Sequence, residues 1–159
     1  MLFRSASAAE FFERAVKAQP VYPEAYNNWG IALVQMGRQT VAMDQQLQIY
    51  QQAAEKFSKS ADQNPNERYT YLFWSEVLVV IGDMPVDGRV RLACYQGAVE
   101  KCRRAAALGP TDWETYNKWG YILSEKLPAF ATDDKTRVKL YREAGDLFAK
   151  ASQIGRAHV

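Results

Sequence analysis

The chain has 159 residues, of which 48% are hydrophobic, 24% charged and 13% aromatic. That composition fits one ordered domain or a short repeat array, and it excludes a disordered tail, a collagen-like chain and a disulfide-stapled mini-protein. Twenty basic against 18 acidic residues leave a net charge of +2, too small to create a strong field for nucleic acid or anionic lipid. No apolar run reaches the roughly 18 residues of a membrane span.

Both ends read as foreign to the rest. Ile154-Gly155-Arg156-Ala157-His158-Val159 is the translation of ATCGGAAGAGCACACGTC, part of a widely used sequencing adapter. The reverse complement of the same adapter, started at GTG, encodes Met1-Leu2-Phe3-Arg4-Ser5. Residues 1–5 and 154–159 are therefore expected to be adapter-derived, and residues 6–153 to be an internal stretch of a longer reading frame. Without Arg4 and Arg156 the balance is 18 basic to 18 acidic, and without His158 no histidine remains. The side chain best suited to proton transfer near neutral pH is then missing.

In chain order, the first feature is Ala8-x-x-x-Phe12 with Pro20, the tail of a helical unit over residues 6–20. Next comes Tyr26-x-x-Trp29-Gly30-x-x-Leu33. It recurs as Tyr71-x-x-Trp74-Ser75-x-x-Leu78 and Tyr116-x-x-Trp119-Gly120-x-x-Leu123, at steps of 45 residues. Pro20, Pro65 and Pro110 keep the same step, so the full units are 21–65, 66–110 and 111–153. Between the clusters lie Tyr50-x-x-Ala53-x-x-x-Phe57 and Tyr95-x-x-Ala98-x-x-x-Cys102; Tyr141-x-x-Ala144-x-x-x-Phe148 arrives one residue late.

Each unit reads as two helices. Pro23 suits the first helical position, and Tyr26, Trp29, Leu33 and Met36 fall at i, i+3, i+7 and i+10, the stripe of an amphipathic helix. Helix A is thus predicted over 23–36, 68–81 and 112–127. Thr111-Asp112-Trp113-Glu114 has capping-box spacing. Gly37 and Gly82 are expected as left-handed stops, and Pro128 as the third. Helix B carries Leu47, Tyr50, Ala54, Phe57 and Ala61 on one face. No alternating strand pattern appears, so the fold class is all-α.

Tyr26, Trp29, Gly30, Leu33, Ala53, Phe57 and Pro65, in that order, resemble the tetratricopeptide repeat, W-x2-L-G-x2-Y, then A-x3-F, then P. Tyr stands for Trp and Trp for Leu; Ser75 and Cys102 are departures in the second copy. The resemblance covers residues 8–153. It implies an α-solenoid of antiparallel helix pairs, wound as a right-handed superhelix. Ordinary members repeat every 34 residues, and the 11 extra here fall at the A–B turn. Eleven residues are close to three helical turns, ~16 Å of rise, and would lengthen helix B without rotating its apolar face. Pro85 with Asp87-Gly88, and Pro128 with Asp133-Asp134, are expected to turn part of the insertion into loops.

Motifs for chemistry are missing. The chain has no Walker loop, GxGxxG, GxSxG or HExxH. Cys94 and Cys102 on one helix would be ~12 Å apart in rise and unable to pair. No metal, cofactor or enzymatic activity is expected. Asp133-Asp134 reads as a helix start, where negative charge is favoured. Arg89, Arg91, Lys101, Arg103 and Arg104 form the one basic concentration, read as a solvated outer face.

The resemblance implies a concave groove lined by the A helices that holds a peptide or an extended protein segment. By helical phase the candidates are Asn27, Ile31 and Gln35, then Leu72, Glu76 and Val80, then Asn117, Tyr121 and Ser124, with Phe73 and Lys118 beside them. Glu76 is expected as the one charge at the centre, favouring a basic residue on the partner. The family's cationic clamp for chaperone C-terminal tails is disfavoured, because of Asn27, Ile31, Phe73, Glu114 and Lys118 only Lys118 fits it. The expected role is a non-catalytic protein-interaction scaffold, intracellular rather than secreted. The alternatives are the recruiting or regulatory arm of a larger enzyme and, less favoured, an RNA-binding helical repeat.

Overall fold

The computed structural model describes residues 2–157, with side chains from residue 6 onward. Met1, His158 and Val159, which fall in the two flanks expected from sequence to be adapter-derived, lie outside the described residues. The described chain is helical, with α1 Leu2–Ala18, α2 Pro23–Gln39, α3 Met43–Gln63, α4 Arg68–Asp83, α5 Gly88–Leu108, α6 Trp113–Tyr121 and α7 Asp134–Ala157. A π turn (Ile122–Lys126) and a 3-10 turn (Leu127–Phe130) continue α6. No strand occurs among the described residues.

Each helix packs against the next in sequence, and the tightest associations are within the pairs α2/α3, α4/α5 and α6/α7. A two-helix unit cannot enclose its own apolar stripe, so stacking of neighbours closes the core. One cluster joins Leu33, Tyr50 and Phe57 to Val77, Ile81 and Met84; another joins Tyr95, Val99 and Cys102 to Tyr116, Ile122 and Leu123. Helix A of one unit thereby covers helix B of the unit before it. The architecture is an all-α solenoid of antiparallel helix pairs.

The helix starts follow local chemistry. Pro23 opens α2, and Glu67, Asp87 and Asp112 cap α4, α5 and α6 by accepting bonds from the backbone N–H groups of Tyr69, Arg89 and Thr115. The cap of α6 is therefore Asp112 rather than Thr111, because Asp112 places its carboxylate three residues before Thr115. Asp133 does the same at α7, accepting from Thr136 N at 2.6 Å and from the Thr136 hydroxyl at 2.9 Å. Those bonds hold its carboxyl below the usual range.

Gly37 and Gly82 are not stops. No described glycine has positive φ, and α2 and α4 run past both positions. They are small because aromatic rings lie on them: a β-carbon would sit 2.6 Å from Tyr50 Cε1 at Gly37, and 2.6 Å from Tyr95 Cε1 at Gly82. The 45-residue step survives because α3 and α5 each extend to 21 residues. In the third unit the extra residue falls between Leu123 and the Asp133 cap. The π turn lies in that stretch, and its wider i→i+5 bonding accommodates such an insertion. Helix A of this unit is consequently not one α-helix over 112–127.

The aromatic signature is held in place by cations from helix B. Lys59, Arg104 and Lys150 lie over the rings of Tyr26, Tyr71 and Tyr116 at 6.0, 5.7 and 4.3 Å. Lys56 and Lys101 lie over Trp29 and Trp74 at 4.4 and 4.3 Å, and Arg103 over Trp119 at 5.3 Å. Each such contact is worth about 0.5–2 kcal/mol, depending on desolvation. Three of the five residues in the basic concentration thus face the aromatic rings of the repeat.

Candidate functional site

The A helices α2 and α4, with α6 and its π turn, line one continuous groove. Its main hollow, about 420 Å³, is bounded by Arg38 from α2, Ser75, Glu76, Val79 and Val80 from α4, and Asn117, Lys118, Tyr121 and Ile122. A smaller hollow of about 140 Å³ lies between α2 and α4, bounded by Ile31, Val34, Gln35, Arg38, Phe73, Glu76 and Val80 among others. Arg38, Glu76 and Val80 border both. Helical phase explains the lining: 73, 76 and 80 occupy one face of α4, whereas Tyr71 and Trp74 point the other way.

Of the candidates from sequence, Ile31, Gln35, Phe73, Glu76, Val80, Asn117, Lys118 and Tyr121 border these hollows. Three do not. Leu72 is 2% exposed and cannot meet a partner, because the central A helix is enclosed at Thr70, Tyr71 and Leu72 by units on both sides. Ser124 turns back along the π turn, its hydroxyl donating to Tyr121 O at 3.4 Å. Asn27 borders a separate hollow of about 160 Å³, and its Oδ1 accepts from Thr70 Oγ1 at 3.2 Å, tying one unit to the next.

Glu76 is not a lone charge. Lys118 Nζ lies 2.6 Å from its Oε1 and 3.3 Å from Glu114 Oε1. Burial alone would lower the Lys118 ammonium, but the bonds and attraction from Glu76 and Glu114 outweigh it and leave the group raised. Lys126, at the far end, is bound by Asp83 at 2.8 Å and faces the Tyr121 ring. Asp83 also accepts from Tyr95 Oη at 2.6 Å; burial first, and that bond second, push the Tyr95 phenol up to about 12. Arg38 is different: exposed, it makes no ion pair among the described residues.

Arg38, Val34 and Val79 were missed by sequence reasoning; Ile122 backs the hollow but is 2% exposed. Arg38 continues the row Ile31, Gln35 by one more turn of α2, and was excluded only because helix A was expected to end at residue 36. A larger hollow, about 690 Å³, lies on the opposite face of α4 and is bordered by Tyr71, Trp74, Lys101, Arg103 and Arg104. Among the described residues no group of three His, Cys, Asp or Glu could hold a metal ion, and no helix is long and apolar enough to cross a membrane. Cys94 and Cys102 are both free thiols.

No family model matches the chain, and no curated protein matches it in sequence. Solved structures do match in shape. The structure described as MamA MSR-1 C2 superposes with a TM-score of 0.66 at 16% identity, covering 98% of this chain and 70% of its own. A crystal structure of MamA protein gives 0.65 at 16% identity, over 96% and 64%. A further MamA crystal structure gives 0.57 at 16% identity, over 94% and 88%. At that identity the likeness is one of fold: this chain shares with MamA an all-helical repeat solenoid.

Proposed function

We propose that the chain is a non-catalytic scaffold that holds a segment of a partner protein in the groove lined by α2, α4 and α6. The observation that carries this reading is the groove itself, where two adjoining hollows share Arg38, Glu76 and Val80. Val79, Val80 and Tyr121 offer apolar contact, and Asn117 offers an amide to a partner backbone. Tetratricopeptide-type solenoids of this shape suit that task, because their stacked A helices present a long concave surface. RNA binding is the weaker reading, since Lys101, Arg103 and Arg104 already face aromatic rings.

The test is affinity capture with Val80→Asp and Tyr121→Ala, each checked for helicity by circular dichroism. Both folded variants should lose the proteins that the parent retains. Partners retained equally by both variants would place binding elsewhere and overturn the groove assignment.

A further inference from the structure

We infer that the groove selects a partner segment bearing an Asp or Glu carboxylate next to an aliphatic or aromatic side chain, the carboxylate binding Arg38. This rests on the groove reading and names the chemistry of its occupant. The charges of the groove decide it. Glu76 is the carboxylate that borders both hollows, and Lys118 Nζ already holds it at 2.6 Å; Glu114, which shares that lysine at 3.3 Å, borders neither hollow. Lys126 is bound by both oxygens of Asp83 at 2.8 Å. Arg38 alone brings a cation to both hollows without an ion-pair partner among the described residues.

The physical consequence is a reversal of sign. A basic residue on the partner would have to compete with Lys118 for Glu76, the carboxylate that borders both hollows. An acidic residue meets a guanidinium whose planar fork takes a carboxylate through two parallel N–H···O bonds. Beside Arg38 the main hollow is walled by Val79, Val80 and Tyr121. An apolar side chain seated there removes water around the charged pair and strengthens it. The occupant is therefore an acidic-apolar protein segment, with the apolar residue supplying burial and the carboxylate supplying register.

The experiment is panning of a displayed library of random 12-residue peptides on the parent, on Arg38→Glu and on Val80→Asp. Groove-bound peptides are defined as those lost on folded Val80→Asp. Among them, the parent should enrich Asp or Glu at a fixed spacing from an aliphatic or aromatic residue, and Arg38→Glu should enrich Lys or Arg at that spacing. A selected acidic peptide, synthesised and titrated, should weaken about tenfold or more on Arg38→Glu, and should weaken with added salt. Groove-bound peptides without acidic enrichment would overturn this inference and leave the groove standing. If no selected peptide is lost on Val80→Asp, the groove reading falls and this inference with it.

Discussion

The ring of Phe57 lies directly on Gly30: a β-carbon at residue 30 would stand 2.7 Å from Phe57 Cε1. Phe148 lies on Gly120 in the same way, at 2.8 Å. The middle unit has Ser75 and Cys102 at the equivalent positions, so a larger helix-A residue coincides with a smaller helix-B residue. Both are sealed, at 1% and 0% exposure. The two departures from the repeat pattern are one compensated exchange of volume.

Gly30→Ser should therefore destabilise the array by about 1–3 kcal/mol through overpacking. Phe57→Cys alone should cost about 2–5 kcal/mol by leaving a cavity. The double variant rebuilds the pairing of the middle unit, and should lie at least ~1 kcal/mol above the sum of the singles. Urea melts of the four proteins measure this directly. Simple additivity would show that the exchange is not coupled.

Trp74 is only half-buried, with Lys101 Nζ 4.3 Å over its ring, and packs against two core clusters. Trp74→Ala should thus cost about 2–3 kcal/mol, less than the ~3–5 of a fully enclosed aromatic. Lys101→Met, which keeps the stem and removes the charge, should cost about 0.5–1 kcal/mol. Denaturant midpoints at constant m would check both values.

The two thiols should separate in reactivity. Burial raises both, and it pushes Cys102 up to about 11 against a small opposing effect of the Ser75 hydroxyl. At pH 8, Ellman's reagent should label half-buried Cys94 first and Cys102 only on unfolding. The unfolded thiol ionises at its ordinary 9.0, before the folded one. Folding therefore has the full benefit of the neutral thiol below pH 9 and loses it as pH rises towards 11. Cys102→Ala should flatten that part of the stability curve, and an unchanged slope would refute the assignment.

Asp112 joins two units, since it caps α6 through Thr115 N at 3.3 Å and pairs with Arg68 at the start of α4. Asp112→Ala should cost about 1–2 kcal/mol for the lost cap, plus the cost of a stranded Arg68. Asp112→Asn keeps the cap and removes the charge, so it should lose less. Thermal melts of the pair distinguish capping from ion pairing.

How far the site could be read from sequence depended on the distance between the interacting residues. Ile31, Gln35, Glu76, Val80, Asn117 and Tyr121 follow from helical phase, which is local and has a fixed period. Leu72 shares that phase yet is sealed, because burial of the central helix depends on both neighbouring units. Arg38 carried a legible signal, its place in the same row, hidden only by an early helix end. Lys59, Arg104 and Lys150 also recur with the repeat, at steps of 45 and 46, although their aromatic partners lie on the other helix.

The sequence by itself determined the period, the two-helix unit, the all-α class and the small residues at 30, 75 and 120. These depend on spacing along one chain segment and on the volume of one side chain, which the residue letters carry directly. Only the tertiary structure decided that Gly37 and Gly82 admit tyrosine rings rather than end helices, and that the third unit passes through a π turn. It alone also paired Glu76 with Lys118, 42 residues away, and left Arg38 at the groove without an ion-pair partner among the described residues. Such outcomes turn on which side chains come within about 3–4 Å after the helices stack, and neither periodicity nor composition contains that distance.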